Sequence, residues 1–325
     1  MTAWTADPRF RRGVVISLGA ARSGKTTLGQ LIASFKAVDH LDEYWPLMSG
    51  AAALAQGLWS TEAFSLYMNA AIAEMRNDNA LLRTANFRPG DESAIWQTKR
   101  WSEIVHRLFI LRSRQASADY ISERQHLLVL GATDCVQQLQ AFVGACDWAD
   151  MLLVVRHPLD VALGASKRGW FADTALASPI NNMPSCAVDV ERLLGSASGR
   201  VGTVHLPWWL RPEDYRAFVA GDELLRGLLY WKALHVDNAQ SESAASLGAT
   251  VVRFDDIIEK PLEVVRGLPF MEGRAASGKT RRLLRKIVPP QRQVLSLSLE
   301  AQDVLSQLGP HVEALELRSS IDLVP

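Results

Sequence analysis

The chain has 325 residues, enough for one large α/β domain or two small ones. Lysine plus arginine and aspartate plus glutamate number 35 each, so no overall positive charge points to nucleic acid as the main partner. The three cysteines, Cys135, Cys146 and Cys186, include no CxxC pair. This argues against a disulfide framework or a zinc site and fits a reducing compartment.

The first predicted elements are a strand and a helix joined by a glycine-rich turn. The apolar run 13–18 predicts a buried parallel strand, and apolar residues at 28, 31, 32 and 35 have helical spacing. Between them, residues 19–26 read GAARSGKT and match the pattern GxxxxGK[ST]. The backbone N–H groups of such a turn and the positive end of the helix dipole bind phosphate. The predicted phosphate-binding residues are Gly19, Arg22, Ser23, Gly24, Lys25, Thr26 and Thr27.

The N-terminus imitates a signal peptide, because Arg9, Arg11 and Arg12 precede the apolar run 13–21. The run is short and leads into the phosphate loop, so cleavage there would destroy the loop. We therefore predict a cytoplasmic protein. No apolar run is long enough to predict a membrane span.

A second strand is predicted over 37–45, and it ends in Asp42 and Glu43. The carboxyl ends of parallel strands face the ligand crevice of such sheets, which would bring both carboxylates near the phosphate loop. The pattern fits equally well with two carboxylates that end a strand in water.

Residues 50–125 are predicted to be mainly helical, with a polar break at 86–91. Helical spacing of Ile104, Leu108 and Leu111 leaves a basic face, for which we predict exposure to solvent; binding of an acidic acceptor is the alternative. The basic residues are Lys99, Arg100, Arg107, Arg112 and Arg114.

Further strands are predicted over 126–131 and 151–155, each followed by a helix, through 142 and over 159–168. Asp134 follows the first of these strands, and Arg156, His157 and Pro158 follow the second. The alternation of strands and helices predicts a mostly parallel sheet with helices on both faces.

The last third of the chain combines irregular segments with a few clear elements. Residues 170–215 are predicted to form loops with short elements, 221–246 a helix, 249–254 the last strand and 294–317 an amphipathic helix. A second match to the phosphate-loop pattern, at 273–280, follows no apolar strand. We predict a mobile basic loop there, with Arg274 and Lys279 available to a phosphate or simply solvated.

Two segments together resemble the sulfotransferases that use 3′-phosphoadenosine-5′-phosphosulfate (PAPS). Residues 19–27 are similar to that family's loop around the 5′-phosphosulfate, and residues 154–162, VVRHPLDVA, to its motif for the 3′-phosphate. A weaker similarity, VVRFDDII at 251–258 with Pro261, matches a segment late in many bacterial members.

The resemblance implies a three-layer fold like that of the P-loop nucleoside triphosphate hydrolases, with helical insertions at about 50–125 and 170–246 in a single domain over 1–325. It implies PAPS as donor, 3′-phosphoadenosine-5′-phosphate as product, no metal, and a small-molecule or glycan acceptor with a hydroxyl or amine. Arg156 would bind the 3′-phosphate, and Arg22 and Lys25 would neutralise charge on the departing phosphate. For the base, the resemblance implies Glu43, with Asp134 as the second candidate.

The chain departs from the family pattern at two binding positions. Lys25 stands where the family usually has threonine, and Gly164 stands where it has the 3′-phosphate serine. Ser166 lies two residues later, which on a helix rotates its side chain by roughly 200°.

Lys25 and Thr26 also complete the pattern of an ATP- and Mg²⁺-dependent small-molecule kinase, which is the main alternative function. Against a kinase, none of Asp42, Asp134 and Asp255 ends a strand as a clear magnesium-binding aspartate, and Arg156 has no role. A third hypothesis is a nucleotide-binding or scaffold protein without activity. The tryptophans, Trp45, Trp170, Trp208 and Trp209 among them, do not identify an acceptor.

Overall fold

The computed structural model of the protein describes residues 8–88, 90–91, 94–179, 184–237 and 241–324. The strands are β1 (Val14–Gly19), β2 (Val38–Leu41), β3 (Leu127–Thr133), β4 (Asp150–Val155), β5 (Ser185–Asp189), β6 (Thr203–Pro207), β7 (Thr250–Arg253), β8 (Gln293–Leu295) and β9 (Ile321–Leu323).

The helices of the first half of the chain are α1 (Lys25–Ala33), α2 (Trp45–Ala55), α3 (Thr61–Ala80), α4 (Ile95–Thr98), α5 (Trp101–Phe109), α6 (Arg114–Glu123), α7 (Leu139–Ala145) and α8 (Pro158–Ser166). Those of the second half are α9 (Asp173–Leu176), α10 (Val190–Leu194), α11 (Tyr215–Ala220), α12 (Glu223–His235), α13 (Phe254–Glu259), α14 (Pro261–Gly267), α15 (Gly278–Leu284) and α16 (Leu299–Ala314).

The central element is a five-stranded sheet with the order β2-β3-β1-β4-β7, in which every pair of neighbours is parallel. This confirms the predicted α/β fold with a parallel central sheet. Because all five strands run in one direction, the segments that follow β1, β2, β3 and β4 emerge at the same edge. These segments carry the phosphate loop and the candidate residues at 42–43, 134 and 156.

Helices cover both faces of the sheet, since successive strand residues point to opposite sides. Ile16 and Leu18 belong to a core cluster shared with α2, α3, α8 and α12, whereas Val15 belongs to a second cluster shared with α1 and α14. Helices α8 and α12 approach closely, because a Cβ at Gly227 would lie 2.6 Å from Cα of Ala162. This contact positions the segment that begins with Arg156.

Several boundaries differ from those predicted. The helix predicted over 221–246 ends at His235, and the C-terminal helix α16 is flanked by the short parallel pair β8 and β9. The loop predicted over 273–280 is wrong in part, because α15 begins at Gly278 with Ser277 as its cap. Pro89 and residues 181–183, which the sequence places in loops, lie outside the described residues.

The basic face predicted on the helical segment is also partly wrong. Lys99 and Arg107 are buried, and both form ion pairs with the buried carboxylate of Asp39 on β2, at 2.9 and 2.7 Å. His126 Nε2 lies 3.2 Å from the same carboxylate. These charges hold α5 against the sheet instead of facing water. The spacing of the hydrophobic residues does not predict this, because it does not show which cations contact a buried acid.

Candidate active site

The phosphate loop links β1 to α1 with two residues in the left-handed region. Arg22 has φ 68° and Gly24, the residue before α1, has φ 98°. A Cβ on Gly24 would overlap the ring of Phe254, so a glycine is required there on both conformational and steric grounds. The turn therefore directs the N-terminus of α1 towards the carboxyl edge of the sheet, where an anion can reach its N–H groups.

Lys25 is buried in this loop. Its Nζ donates hydrogen bonds to the backbone oxygens of Gly19 and Ala20, at 2.8 and 2.6 Å. Burial lowers the pKa of Lys25, while the nearby carboxylates of Asp134, Asp42 and Glu43 oppose that shift.

Thr26 and Asp42 form a direct pair across the edge of the sheet. The hydroxyl of Thr26 lies 2.7 Å from Oδ1 and 2.9 Å from Oδ2 of Asp42. The structure thus brings the end of β2 to the start of α1, which for Asp42 is the first of the two alternatives that the sequence left open. A hydroxyl paired with a carboxylate is also an arrangement that can hold Mg²⁺ beside phosphates.

Glu43 and Asp134 lie at the same edge in different surroundings. Glu43 is exposed, and burial of part of its carboxyl raises its pKa, with the charges of Asp42 and Asp134 acting in the same direction. The carboxylate of Asp134 accepts a hydrogen bond from the hydroxyl of Tyr230, which itself accepts one from the backbone N–H of Ala21 at 2.6 Å. Burial raises the pKa of Asp134 as well, while the Tyr230 bond and Lys25 lower it.

Arg156 follows β4 and is held from three sides. Its guanidinium donates to the backbone oxygen of Arg22 at 3.1 Å and to Asp160 at 3.3 Å, and it lies 4.0 Å from the centre of the Phe254 ring. Asp160 is buried and is fixed in turn by the backbone N–H of Ser320 at 3.2 Å. Burial lowers the pKa of Arg156, and Asp160 opposes this.

The loop and Arg156 line one cavity, and a second cavity adjoins it. The first, which we call the loop cavity, has a volume of about 680 Å³, and Lys25, Thr26, Asp42 and Arg156 contribute to its wall. The second, which we call the aromatic cavity, has a volume of about 330 Å³ and is lined by Asp134 and by the aromatic residues Trp45, Trp170, Phe171, Trp208, Trp209 and Tyr230, among others. Ala21, Glu43, Thr133 and Trp170 line both.

The glycine at position 164 is explained by the side chain that lies beside it. A Cβ at this position would lie 3.2 Å from Cβ and Cγ of Arg22, so the arginine side chain occupies the space beside α8. Ser166 is half-buried and lines neither of the two cavities. The structure therefore does not bring Ser166 to the loop.

Arg274 and Lys279 also lie away from the loop. Arg274 donates to the backbone oxygens of Ala37 and Gln125, which precede β2 and β3 and so lie at the opposite edge of the sheet. Lys279 donates to the backbone oxygen of Trp96 at 2.9 Å. This placement does not support their predicted contact with the bound phosphate. No strand of the sheet leads into residues 273–280, so this segment does not emerge at the carboxyl edge.

Two residues of the site, Tyr230 and Phe254, were not predicted from the sequence. Tyr230 lies in the middle of α12, and Phe254 follows β7 directly. Phe254 follows the carboxyl end of β7, and each of the other four strands of the sheet is followed by a predicted site residue. Its place in the sequence therefore indicates that it belongs to the site. Tyr230 has no such signal, because it reaches Asp134 only through the packing of α12 on α8.

Comparisons with known proteins identify no family for this chain. No family model matches it, and no curated protein matches it. Among solved structures it is similar to the sulfotransferase STF9 from Mycobacterium avium, with 10% identity over 97% of this chain and 81% of that chain and a TM-score of 0.46. It is similar to the sulfotransferase domain from the curacin biosynthetic pathway, with 12% identity over 92% and 98% of the two chains and a TM-score of 0.41.

A sulfotransferase from Alicyclobacillus acidocaldarius is similar as well, with 15% identity over 94% of both chains and a TM-score of 0.39. At such values the activity of this chain has to be argued from its own residues. Within the described ranges, no helix is long and apolar enough to cross a membrane. The same part of the chain contains no group of three or more His, Cys, Asp or Glu side chains placed to hold a metal ion.

Proposed function

We propose that the protein transfers a sulfuryl group from PAPS to an acceptor bound in the aromatic cavity. The observation that carries this proposal is that one cavity is lined both by the loop and by Arg156, and that it shares Glu43 with the wall of the aromatic cavity. A donor with phosphates on both the 3′ and the 5′ oxygen of its ribose needs a cation for the 3′-phosphate beside the loop, whereas a donor with a single 5′-phosphate chain does not.

On the donor side, the residues present fit the ligand. The N–H groups of the loop, with Lys25 and Thr26, would hold the 5′-phosphosulfate, and Arg156 would hold the 3′-phosphate with its planar guanidinium. Bound PAPS supplies the sulfuryl group and a stable phosphate leaving group. Lys25 and Arg22 would stabilise the charge that develops on that phosphate.

On the acceptor side, Glu43 is the better placed base. It lines both cavities and is exposed, whereas the carboxylate of Asp134 is already bound by Tyr230. A raised pKa makes the ionised carboxylate of Glu43 a stronger base for a hydroxyl or amine proton. Asp134 would then position Tyr230 and the N–H of Ala21.

The acceptor is a compound with an apolar or flat face. Among the described residues that line the aromatic cavity, Glu43 and Asp134 carry charge, and no lysine, arginine or histidine is present. An anionic acceptor would meet only like charge in this wall. The small-molecule acceptor predicted from the resemblance is therefore better supported than an acidic glycan.

The donor is tested by calorimetry with 3′,5′-diphosphoadenosine and 5′-AMP. We expect at least about tenfold tighter binding of the diphosphate, equivalent to about 1.4 kcal/mol. Arg156→Ala should remove most of that preference, and the exposed Arg281→Ala should preserve it as a control. Equal affinity of the wild-type protein for the two ligands would contradict the proposal.

A second candidate function, phosphoryl transfer from ATP with Mg²⁺, is favoured by the pair of Thr26 and Asp42. Their contact at 2.7 Å supplies a hydroxyl and a carboxylate beside the phosphate loop. In this reaction Arg156 would have no 3′-phosphate to bind. The two functions therefore differ in their need for the 3′-phosphate and for the metal.

A further inference from the structure

A third cavity lies at the amino edge of the sheet, opposite the phosphate loop. It has a volume of about 580 Å³, within the range of about 300–1,000 Å³ that ligand pockets usually occupy. Four arginines line it, Arg9, Arg12, Arg76 and Arg274, and the described residues of its wall include no carboxylate. We call it the arginine cavity.

The position of this cavity is set by the strands. Gly13 and His126, which immediately precede β1 and β3, are both part of its wall. A strand of the length of β1 spans roughly 20 Å, so the arginine cavity lies about that far from the loop. It is therefore separate from the proposed donor and acceptor sites.

Arg76 forms the floor of the cavity. It is only 1% exposed, and its two terminal nitrogens donate to the backbone oxygens of Gly13 and His126, both at 2.5 Å. Its Nε is buried and has no hydrogen-bond partner in the described part of the chain. A buried guanidinium that is held by two neutral carbonyl oxygens adds its positive charge to the wall of the cavity, where low accessibility to water leaves it poorly screened.

Arg76 forms no ion pair with a carboxylate of the described residues. Burial and the repulsion from Arg274 lower the pKa of Arg76 to about 9, and only Asp39 opposes this shift. Asp39 already pairs with Lys99 and Arg107. At the rim, Arg9 lies 3.5 Å from Asp119, and Arg12 is exposed.

We propose that the arginine cavity binds a multiply charged oxyanion, of the class of a pyrophosphate or a small phosphate ester. Such a ligand brings several negative oxygens to a wall that offers guanidinium donors from more than one direction. Arg274 gains a function by this inference: it is held by three backbone oxygens and presents its charge to this cavity, not to the loop.

Inorganic pyrophosphate is the probe, and calorimetry measures its affinity. Pyrophosphate also binds phosphate loops. All the variants that we compare therefore carry Lys25→Ala, so that any remaining binding at the loop is the same in each of them. We compare Lys25→Ala alone with Lys25→Ala/Arg12→Glu. The matched control is Lys25→Ala/Arg292→Glu, which reverses an exposed arginine outside the cavity.

We expect Arg12→Glu to weaken pyrophosphate binding at least about tenfold and Arg292→Glu to change it less than about twofold. Arg12→Lys should keep most of the affinity, since it keeps the charge at the rim. Equal affinities in all the proteins would overturn the proposal, as would equal losses in the two charge reversals, which indicate non-specific attraction only. Neither outcome depends on whether the loop cavity binds PAPS.

Discussion

At the scale of single residues, Glu43 and Asp134 differ in what their carboxylates already contact. Glu43 is exposed at the junction of two cavities, and Asp134 is bound by the hydroxyl of Tyr230. An acid that serves as base needs a free oxygen directed at the acceptor, whereas an acid that accepts a strong hydrogen bond acts through its partner.

We predict that Glu43→Gln lowers turnover by roughly a hundredfold to ten-thousandfold, because the amide keeps the shape and loses the basicity. The affinity for 3′,5′-diphosphoadenosine should stay within about twofold, which calorimetry measures. The pKa of Glu43 is raised above its ordinary value of 4.5, so wild-type turnover should fall as the pH decreases towards that raised pKa. This acidic limb of the pH profile should be absent from Glu43→Gln.

The turnover of Asp134→Asn is measured in parallel with that of Glu43→Gln. An inactive Asp134→Asn together with an active Glu43→Gln would reverse the two assignments. If both variants keep full turnover, neither carboxylate is the base, and the acceptor is already nucleophilic.

At the scale of elements, the charged cluster around Asp39 joins three segments that are far apart in sequence. Asp39 lies on β2, Lys99 just before α5 and Arg107 within α5. All three are buried, so each charge depends on the others to offset its loss of water. The cluster therefore fixes the helical insertion to β2, the strand whose carboxyl end leads into Asp42 and Glu43.

We predict that Asp39→Asn lowers the free energy of unfolding by about 3–5 kcal/mol, because it leaves Lys99 and Arg107 buried without a counter-charge. Urea denaturation at neutral pH measures this loss. The matched control is Glu74→Gln, which breaks the exposed ion pair with Arg114 and should cost at most about 1 kcal/mol. A similar small loss in both variants would show that the cluster does not stabilise the fold.

The same cluster has a defined pH dependence. Arg107 and Lys99 hold the pKa of Asp39 well below its ordinary value of 3.8, against the effect of burial. A depressed pKa in the folded state contributes stability above the unfolded value and loses it as the pH falls through the folded value. Asp39→Asn should therefore destabilise the protein most above about pH 4 and progressively less in stronger acid.

At the scale of the whole molecule, the proposed reaction depends on two cavities that share Glu43 in their walls. The rival phosphoryl transfer depends on Mg²⁺ held at Thr26 and Asp42. Both reactions need Lys25, so loss of that residue does not separate them, but removal of the metal does.

We predict that Lys25→Ala lowers turnover strongly and that wild-type sulfuryl transfer continues in EDTA. The measurement is transfer of labelled sulfate from PAPS to aromatic alcohols and amines, with and without chelator. Activity with ATP that stops in EDTA and returns with Mg²⁺ would instead establish the kinase. Complete loss of sulfuryl transfer in EDTA would contradict the proposed absence of a metal requirement.

The local features of this protein were determined by its sequence. Apolar runs of four to six residues predict β1, β3 and β4, and helical spacing predicts the helices that follow them, because burial on both faces of the sheet requires such runs. The phosphate loop is equally local, since its glycines, Lys25 and Thr26 are contiguous. The direction of the strands then brings Asp42, Glu43, Asp134 and Arg156 to one edge.

Only the tertiary structure decided which side chains meet across long stretches of chain. Tyr230 reaches Asp134 over 96 residues, and Arg107 reaches Asp39 over 68, so no local pattern predicts either contact. Arg22 lies beside Gly164, and Arg274 faces the amino edge, although both belong to segments with the same phosphate-loop pattern. The physical reason is that a pattern sets the conformation of its own segment, whereas packing of distant elements sets what that segment faces.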